Sequence, residues 1–143
     1  MNIAAILRLK GREVATVHPQ VMLETAAKML TEHGIGSLVV VDFGDQPVGI
    51  LSERDIVRAV AQGGAGALTR SVESAMSRPI VTCRESDTID EAMAQMTARR
   101  FRHLPVFEDG KLVGIVSIGD VVKHRIAETE MEAAAMRAYI TTG

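Results

Sequence analysis

A chain of 143 residues suits one compact domain or two half-sized units sharing a core, and a 47% share of hydrophobic residues excludes wholesale disorder. With aromatics at 3% and no tryptophan, the core has to be built from Ala, Val, Ile, Leu and Met. A net charge of -2 gives no general attraction to nucleic acid, and a single cysteine, Cys83, allows no internal disulfide, which fits a reducing, cytoplasmic compartment.

Residues 1–12 come first and predict a helix over Asn2–Lys10. The apolar run from Ile3 to Leu7 is too short to span a membrane. Basic residues follow it and no small-residue cleavage site comes after, so no signal peptide is expected.

The rest of the chain is dominated by a duplication. Glu13–Arg58 matches Pro79–Lys123 at an offset of 66 up to Val41 and of 65 from Gly49, so the first copy carries one extra loop residue. Val48-Gly49-Ile50-Leu51-Ser52-Glu53-Arg54-Asp55 answers Val113-Gly114-Ile115-Val116-Ser117-Ile118-Gly119-Asp120. Each copy predicts a strand (Glu13–Val17; Ile80–Cys83), then an amphipathic helix. The helix is marked by Leu23, Ala26, Ala27 and Leu30 in one copy and by Ile89, Ala92, Met93 and Met96 in the other. Ser86 is the expected cap of the second of these helices. Next come strands at Ser37–Asp42 and His103–Glu108, and Pro105 marks the latter as an edge or a strand start. Gly44-Asp45 and Asp109-Gly110 carry hairpin chemistry, strands at Pro47–Leu51 and Leu112–Val116 close the hairpins, and a helix starts after each Ser. The expected organisation is a helix over 1–12, repeats over 13–60 and 79–126, a linker over 61–78, and a helical tail over 127–143. In the tail, Ile126, Met131, Ala134, Ala135 and Ala138 could line a partner helix. The Gly63-Gly64-Ala65-Gly66 stretch lacks the Gly-Lys-Ser/Thr of a phosphate loop and reads as linker. A unit of this size cannot bury both faces of its sheet, so two copies packed sheet-to-sheet are expected.

Chemistry concentrates in Ser52-Glu53-Arg54-Asp55 and Ser117-Ile118-Gly119-Asp120, each a Ser-x-x-Asp step from strand to helix. Such a step makes a capping box, in which hydroxyl and carboxylate satisfy free backbone N–H groups. The same place exposes the positive end of a helix, which favours an anion, and a carboxylate there suits a ribose diol. Gly49 and Gly114 would admit a flat base close to the backbone. The alternative for Arg99, Arg100 and Arg102 is a solvated basic face. The four histidines have no metal-ligand spacing, and no metal site is expected. Cys83 reads as a small buried hydrophobe.

The doubled Gly-Ile-x-Ser-x-x-Asp, with Phe101-Arg102-His103-Leu104-Pro105-Val106 before its second copy, resembles the CBS (cystathionine-β-synthase-type) domain pair, or Bateman module. The resemblance covers roughly Glu13 to Ile126. It implies an α/β (α+β) fold of two tandem β-α-β-β-α repeats with pseudo-two-fold symmetry. It also implies two clefts for adenosine compounds: AMP, ADP, ATP, NAD or S-adenosylmethionine. One cleft would combine Ser52, Arg54 and Asp55 with Arg84, Phe101, Arg102 and His103. The other would combine Ser117, Gly119 and Asp120 with His18, Ile35, Gly36 and Ser37. The basic Arg102-His103 stands against the uncharged Gly36-Ser37, so the clefts should differ, the one on Asp55 favouring a phosphorylated ligand. The implied role is a regulatory sensor without catalysis or catalytic cofactor, assembled as a homodimer and modulating a partner protein. The alternative is a dimerisation or docking domain indifferent to ligands.

Overall fold

The computed structural model describes residues 1–142. In chain order the elements are α1 (Ile3–Lys10), β1 (Thr16–Val17), α2 (Leu23–His33), β2 (Ser37–Val41), β3 (Pro47–Ser52) and α3 (Glu53–Gly63). There follow 3-10 turns at Gly64–Thr69 and Val72–Ser74, then α4 (Ile89–Arg99), β4 (His103–Glu108), β5 (Lys111–Ser117) and α5 (Ile118–Thr142). The chain divides into two compact units. One is the continuous segment Val14–Val81; the other joins Met1–Glu13 to Thr82–Gly143. The mixed α/β architecture and the repeated element order agree with the sequence pattern.

In the continuous unit the sheet order is β1-β2-β3, with β1 parallel and β3 antiparallel to β2. All five residues of β2 are buried, as a central strand requires. Leu23, Ala26 and Leu30 place the apolar face of α2 on Val17, Leu38, Val40, Leu51 and Val72. Gly34 ends α2 in the left-handed conformation, its N–H returning to the carbonyls of Leu30 and Thr31.

The other unit pairs β4 with β5 and has α1 docked on the second repeat. Asn2 caps α1 through Ala5 N–H (3.1 Å), and the N–H groups of Ile3 and Ala4 donate to the carbonyls of Asp87 and Glu85. Ile3, Ile6 and Leu7 are fully buried, so this helix is core. Thr88, not Ser86, caps α4, accepting from Glu91 N–H at 3.0 Å. The hydroxyl must sit immediately before the first helical residue to reach that N–H, and Ser86 stands two residues too early. The helix expected after Ser117 and the one expected in the tail are a single helix, α5, because no breaker separates them.

The expected strand over Ile80–Cys83 is reduced to one parallel bridge, Cys83 to Val106. The cause is Pro105. In the first repeat Val39 N–H donates to Ala15 O (3.1 Å), extending the parallel pairing. Pro105 holds the equivalent place and has no N–H, so only the bonds from Cys83 N–H to Pro105 O and from Phe107 N–H to Cys83 O remain. Cys83 is 2% exposed, and burial first, then the Asp87 charge, push its thiol up to about 12, which fits the small-hydrophobe reading.

Candidate ligand-binding sites at the strand-to-helix junctions

Both Ser-x-x-Asp steps are capping boxes at the junction of a strand with the following helix. At the first, Ser52 N–H donates to Asp55 Oδ2 (2.9 Å) and Asp55 N–H donates to Ser52 Oγ (3.3 Å). At the second, Ser117 N–H donates to Asp120 Oδ2 (2.9 Å) and Asp120 N–H donates to Ser117 Oγ (3.1 Å). Each junction is locked a second time by the residue just before the first strand of its hairpin. Glu53 N–H donates to Gly36 O (3.0 Å) and Ile118 N–H to Arg102 O (2.7 Å).

That lock, with the strand register, decides which residues of each unit are neighbours. Ser37 pairs with Ser52, and His103 pairs with Ser117. Ser52 and Asp55 therefore share a unit and a sheet edge with Gly36 and Ser37, while Ser117 and Asp120 share theirs with Arg102 and His103. Within its own unit the basic pair stands at the edge that carries Asp120, whereas the expected grouping with Asp55 joins residues of both units. The reason is geometric: the residue that starts a hairpin faces the residue that ends it.

The remaining expected site residues fall as follows. Arg54, Gly119 and Arg102 are exposed, and Phe101 and His103 are half-buried. Arg84 is exposed and bonds Glu108 (3.2 Å), whose carboxyl lies below the ordinary value through the Glu85 backbone N–H and then the Arg84 side chain. His18 meets Val41 O through Nδ1 (3.1 Å) and stacks on Phe43, ring centroids 4.8 Å apart. Ile35 is half-buried and its N–H donates to Leu30 O.

The two carboxylates have different partners. Asp55 is 4% exposed; Ser77 Oγ donates to it at 3.2 Å and 3.4 Å, and Arg58 Nη1 donates at 3.3 Å. Asp120 is more open, and Lys10 Nζ of α1 donates to it at 2.6 Å while also donating to Ile115 O at 2.8 Å. Burial pushes the Asp120 carboxyl up. The hydrogen bonds from Lys10 and Ser117, with the Lys10 charge, outweigh that and hold it below the ordinary carboxylate value. Sequence reasoning missed Lys10 and Ser77. Both precede the starts of the aligned copies at Glu13 and Pro79, where repeat similarity gives no signal.

The glycines at these junctions admit protein. A side chain at Gly114 would meet Leu7 at 2.7 Å, and one at Gly49 would meet Met76 at 2.8 Å and the Ser77 carbonyl at 3.0 Å. The close approach expected of a base is made by the chain itself. Among the described residues no group of three His, Cys, Asp or Glu could hold a metal, and no helix is long and apolar enough to cross a membrane.

Known proteins resemble this chain in sequence and fold. The CBS domain family model matches residues 8–62 and 72–127. The chain belongs to the CBS domain family and carries two copies of the domain. It is 37% identical over 122 residues to the mitochondrial CBS domain-containing protein CBSX3 of Arabidopsis thaliana, covering 82% of this chain and 59% of that one. The chain spans about three fifths of the length of the first curated relatives it matches, 63% and 59%. The crystal structure of the CBS-domain protein ATU1752 from Agrobacterium tumefaciens matches with a TM-score of 0.84 and 48% identity, over 87% of this chain and 92% of that one. The CBS domain pair of protein MJ0100, solved in complex with 5′-methylthioadenosine and S-adenosyl-L-methionine, matches with a TM-score of 0.79 and 28% identity, over 90% and 98%.

Proposed function

We propose that the chain is a sensor of adenosine-containing ligands, with one site centred on Asp55 and the other on Asp120. The carrying observation is the pair of capping boxes, each presenting a carboxylate and a hydroxyl at a helix start, where ribose hydroxyls and phosphate find their complements. The ligands bound by the MJ0100 pair, which share an adenosine, support the class. Arg102 and His103 beside Ser117 favour phosphate at the Asp120 site, whereas Gly36 and Ser37 beside Ser52 bring no cation. The Asp55 side therefore suits a ligand such as 5′-methylthioadenosine, and the Asp120 side one such as AMP or ATP. Arg54, Arg84, Phe101, His18, Ile35 and Gly119 stay in the proposed binding set. The role is regulatory, in the cytoplasm, with binding altering a partner or the assembly.

Calorimetry with AMP, ATP, NAD, S-adenosylmethionine and 5′-methylthioadenosine tests this. Saturable binding is expected, weakened at least tenfold at one site by Asp55→Ala and at the other by Asp120→Ala, the loss of a ribose-gripping carboxylate. Absence of binding to all five compounds overturns it, and turnover of any of them overturns the regulatory assignment.

We also propose a homodimer formed through α5. Ile126, Thr129, Ala133, Met136 and Ile140 are exposed and follow coiled-coil spacing. In a parallel pair, Arg125 would meet Glu130 of a second copy and Glu132 would meet Arg137, so both flanking contacts are complementary. The stripe differs from the one expected from sequence, because Val121 and His124 are buried and fix which side of α5 faces its own unit.

A further inference from the structure

We infer that Lys10 is a built-in competitor for the Asp120 carboxylate, so that an adenosine ligand occupies that site only by releasing the last turn of α1. This rests on the proposed role of Asp120 as the ribose-gripping group.

The two sites are closed by different chemistry. At Asp55 the covering groups from outside the capping box are a serine hydroxyl and an exposed arginine on the same helix. Rotation about one bond turns the hydroxyl away, and the ion pair to Arg58, a side chain 60% exposed, is screened by water. At Asp120 the covering group is an ammonium, bonded to the carboxylate and to the Ile115 carbonyl at once. A neutral diol replaces the two hydrogen bonds but not the attraction between opposite charges. The Asp120 site therefore has the higher threshold.

Lys10 is tied to a larger element. It is the last residue of α1, and Gly11 follows at φ 102, its N–H returning to Leu7 O at 2.8 Å. Leu7 lies on Gly114, one residue from the carbonyl that Lys10 grips. Lys10, Leu7 and Gly11 thus form one clamp over the end of β5 and the start of α5. A ligand that takes Asp120 frees the end of this clamp, while Asn2, Ile3 and Ile6 keep the start of α1 docked. Occupancy of the site becomes looseness of one helical turn at the surface, a change that a partner protein reads.

The test uses 5′-methylthioadenosine, which carries the diol and no phosphate, so that Lys10 gains nothing from ligand charge. The protein is the full chain carrying Asp55→Asn, leaving one site to report, with Asp120→Asn abolishing the remaining heat to assign it. Lys10→Met, which keeps the aliphatic stem, is expected to tighten binding roughly two- to fivefold, the worth of a partly exposed ion pair. Added salt should tighten binding to the protein that retains Lys10 and leave the Lys10→Met variant unchanged, since only the former has an ion pair to screen. Amide exchange of Leu9, Lys10 and Gly11 should rise on saturation with ligand, a reading that needs no variant at position 10. Unchanged or weaker binding by Lys10→Met overturns the proposal, weaker binding making Lys10 a ligand contact; so does unchanged exchange at saturation. If Lys10→Met does not bind the compound either, the competitor role falls; if AMP also fails to bind, the ribose assignment of Asp120 falls with it.

Discussion

Single carboxylates set how this protein responds to acid. Asp120 ionises below the ordinary carboxylate value in the folded state because Lys10 and Ser117 hydrogen bonds outweigh burial. A depressed folded value contributes stability that is fully present above the unfolded carboxylate range and is lost as pH falls through the folded one. Lys10→Met is therefore expected to lower the thermal midpoint at neutral pH and to shrink its drop between about pH 5 and about pH 3, as followed by circular dichroism. An equal drop in the variant would assign the acid response elsewhere. The Ser and Asp of both sites were legible in the sequence, because the Ser-x-x-Asp spacing is itself the capping geometry. Their neighbours were not. Which loop residues stand beside which Asp depends on hairpin register, and Lys10 and Ser77 reach in from segments whose sequence shows no repeat.

At the scale of elements, the repeats differ where a single residue type forbids symmetry. Pro105 removes one donor and shortens the second sheet by a strand; the sequence announced the edge without showing that its partner strand would shrink to a bridge. A similar contrast holds at the ends of the paired helices. Gly34 closes α2 and Arg100 closes α4, both left-handed, the latter at φ 59 with a side chain that disfavours it. Arg100→Gly should raise unfolding stability by about 0.5–1 kcal/mol in urea titration, the side-chain penalty of that conformation less the entropy glycine adds to the unfolded chain. A fall would mean that the arginine side chain contributes more than its backbone costs. Helices and strands with strong periodicity were readable throughout, since the buried positions of α2 and α4 follow the expected spacing. The continuity of α5 was not readable, because its change of composition looks like a boundary although no residue there breaks a helix.

For the whole molecule, assembly is the property tested most directly. The α5 stripe predicts a dimer whose mass by sedimentation equilibrium falls to the monomer in Met136→Glu, a substitution at an exposed position that leaves each unit's core intact. Arg137→Glu should weaken the dimer, and adding Glu132→Arg should restore it by reversing the pair. A monomer in the wild type, or a dimer indifferent to all three changes, would remove α5 from the interface. The division of the chain was also beyond sequence reading. The repeats were visible as copies, but nothing in them told that the first helix completes the second unit.

That exchange has a consequence for synthesis. A ribosome emits Ile3, Ile6 and Leu7 before the strand and helix that cover them, with the whole of the other unit in between. While Val14–Val81 gathers its own core, the leading helix has no seat, and its apolar side stays open to water or to a chaperone. Each finished molecule has thus passed through an interval in which this helix waited for its cover.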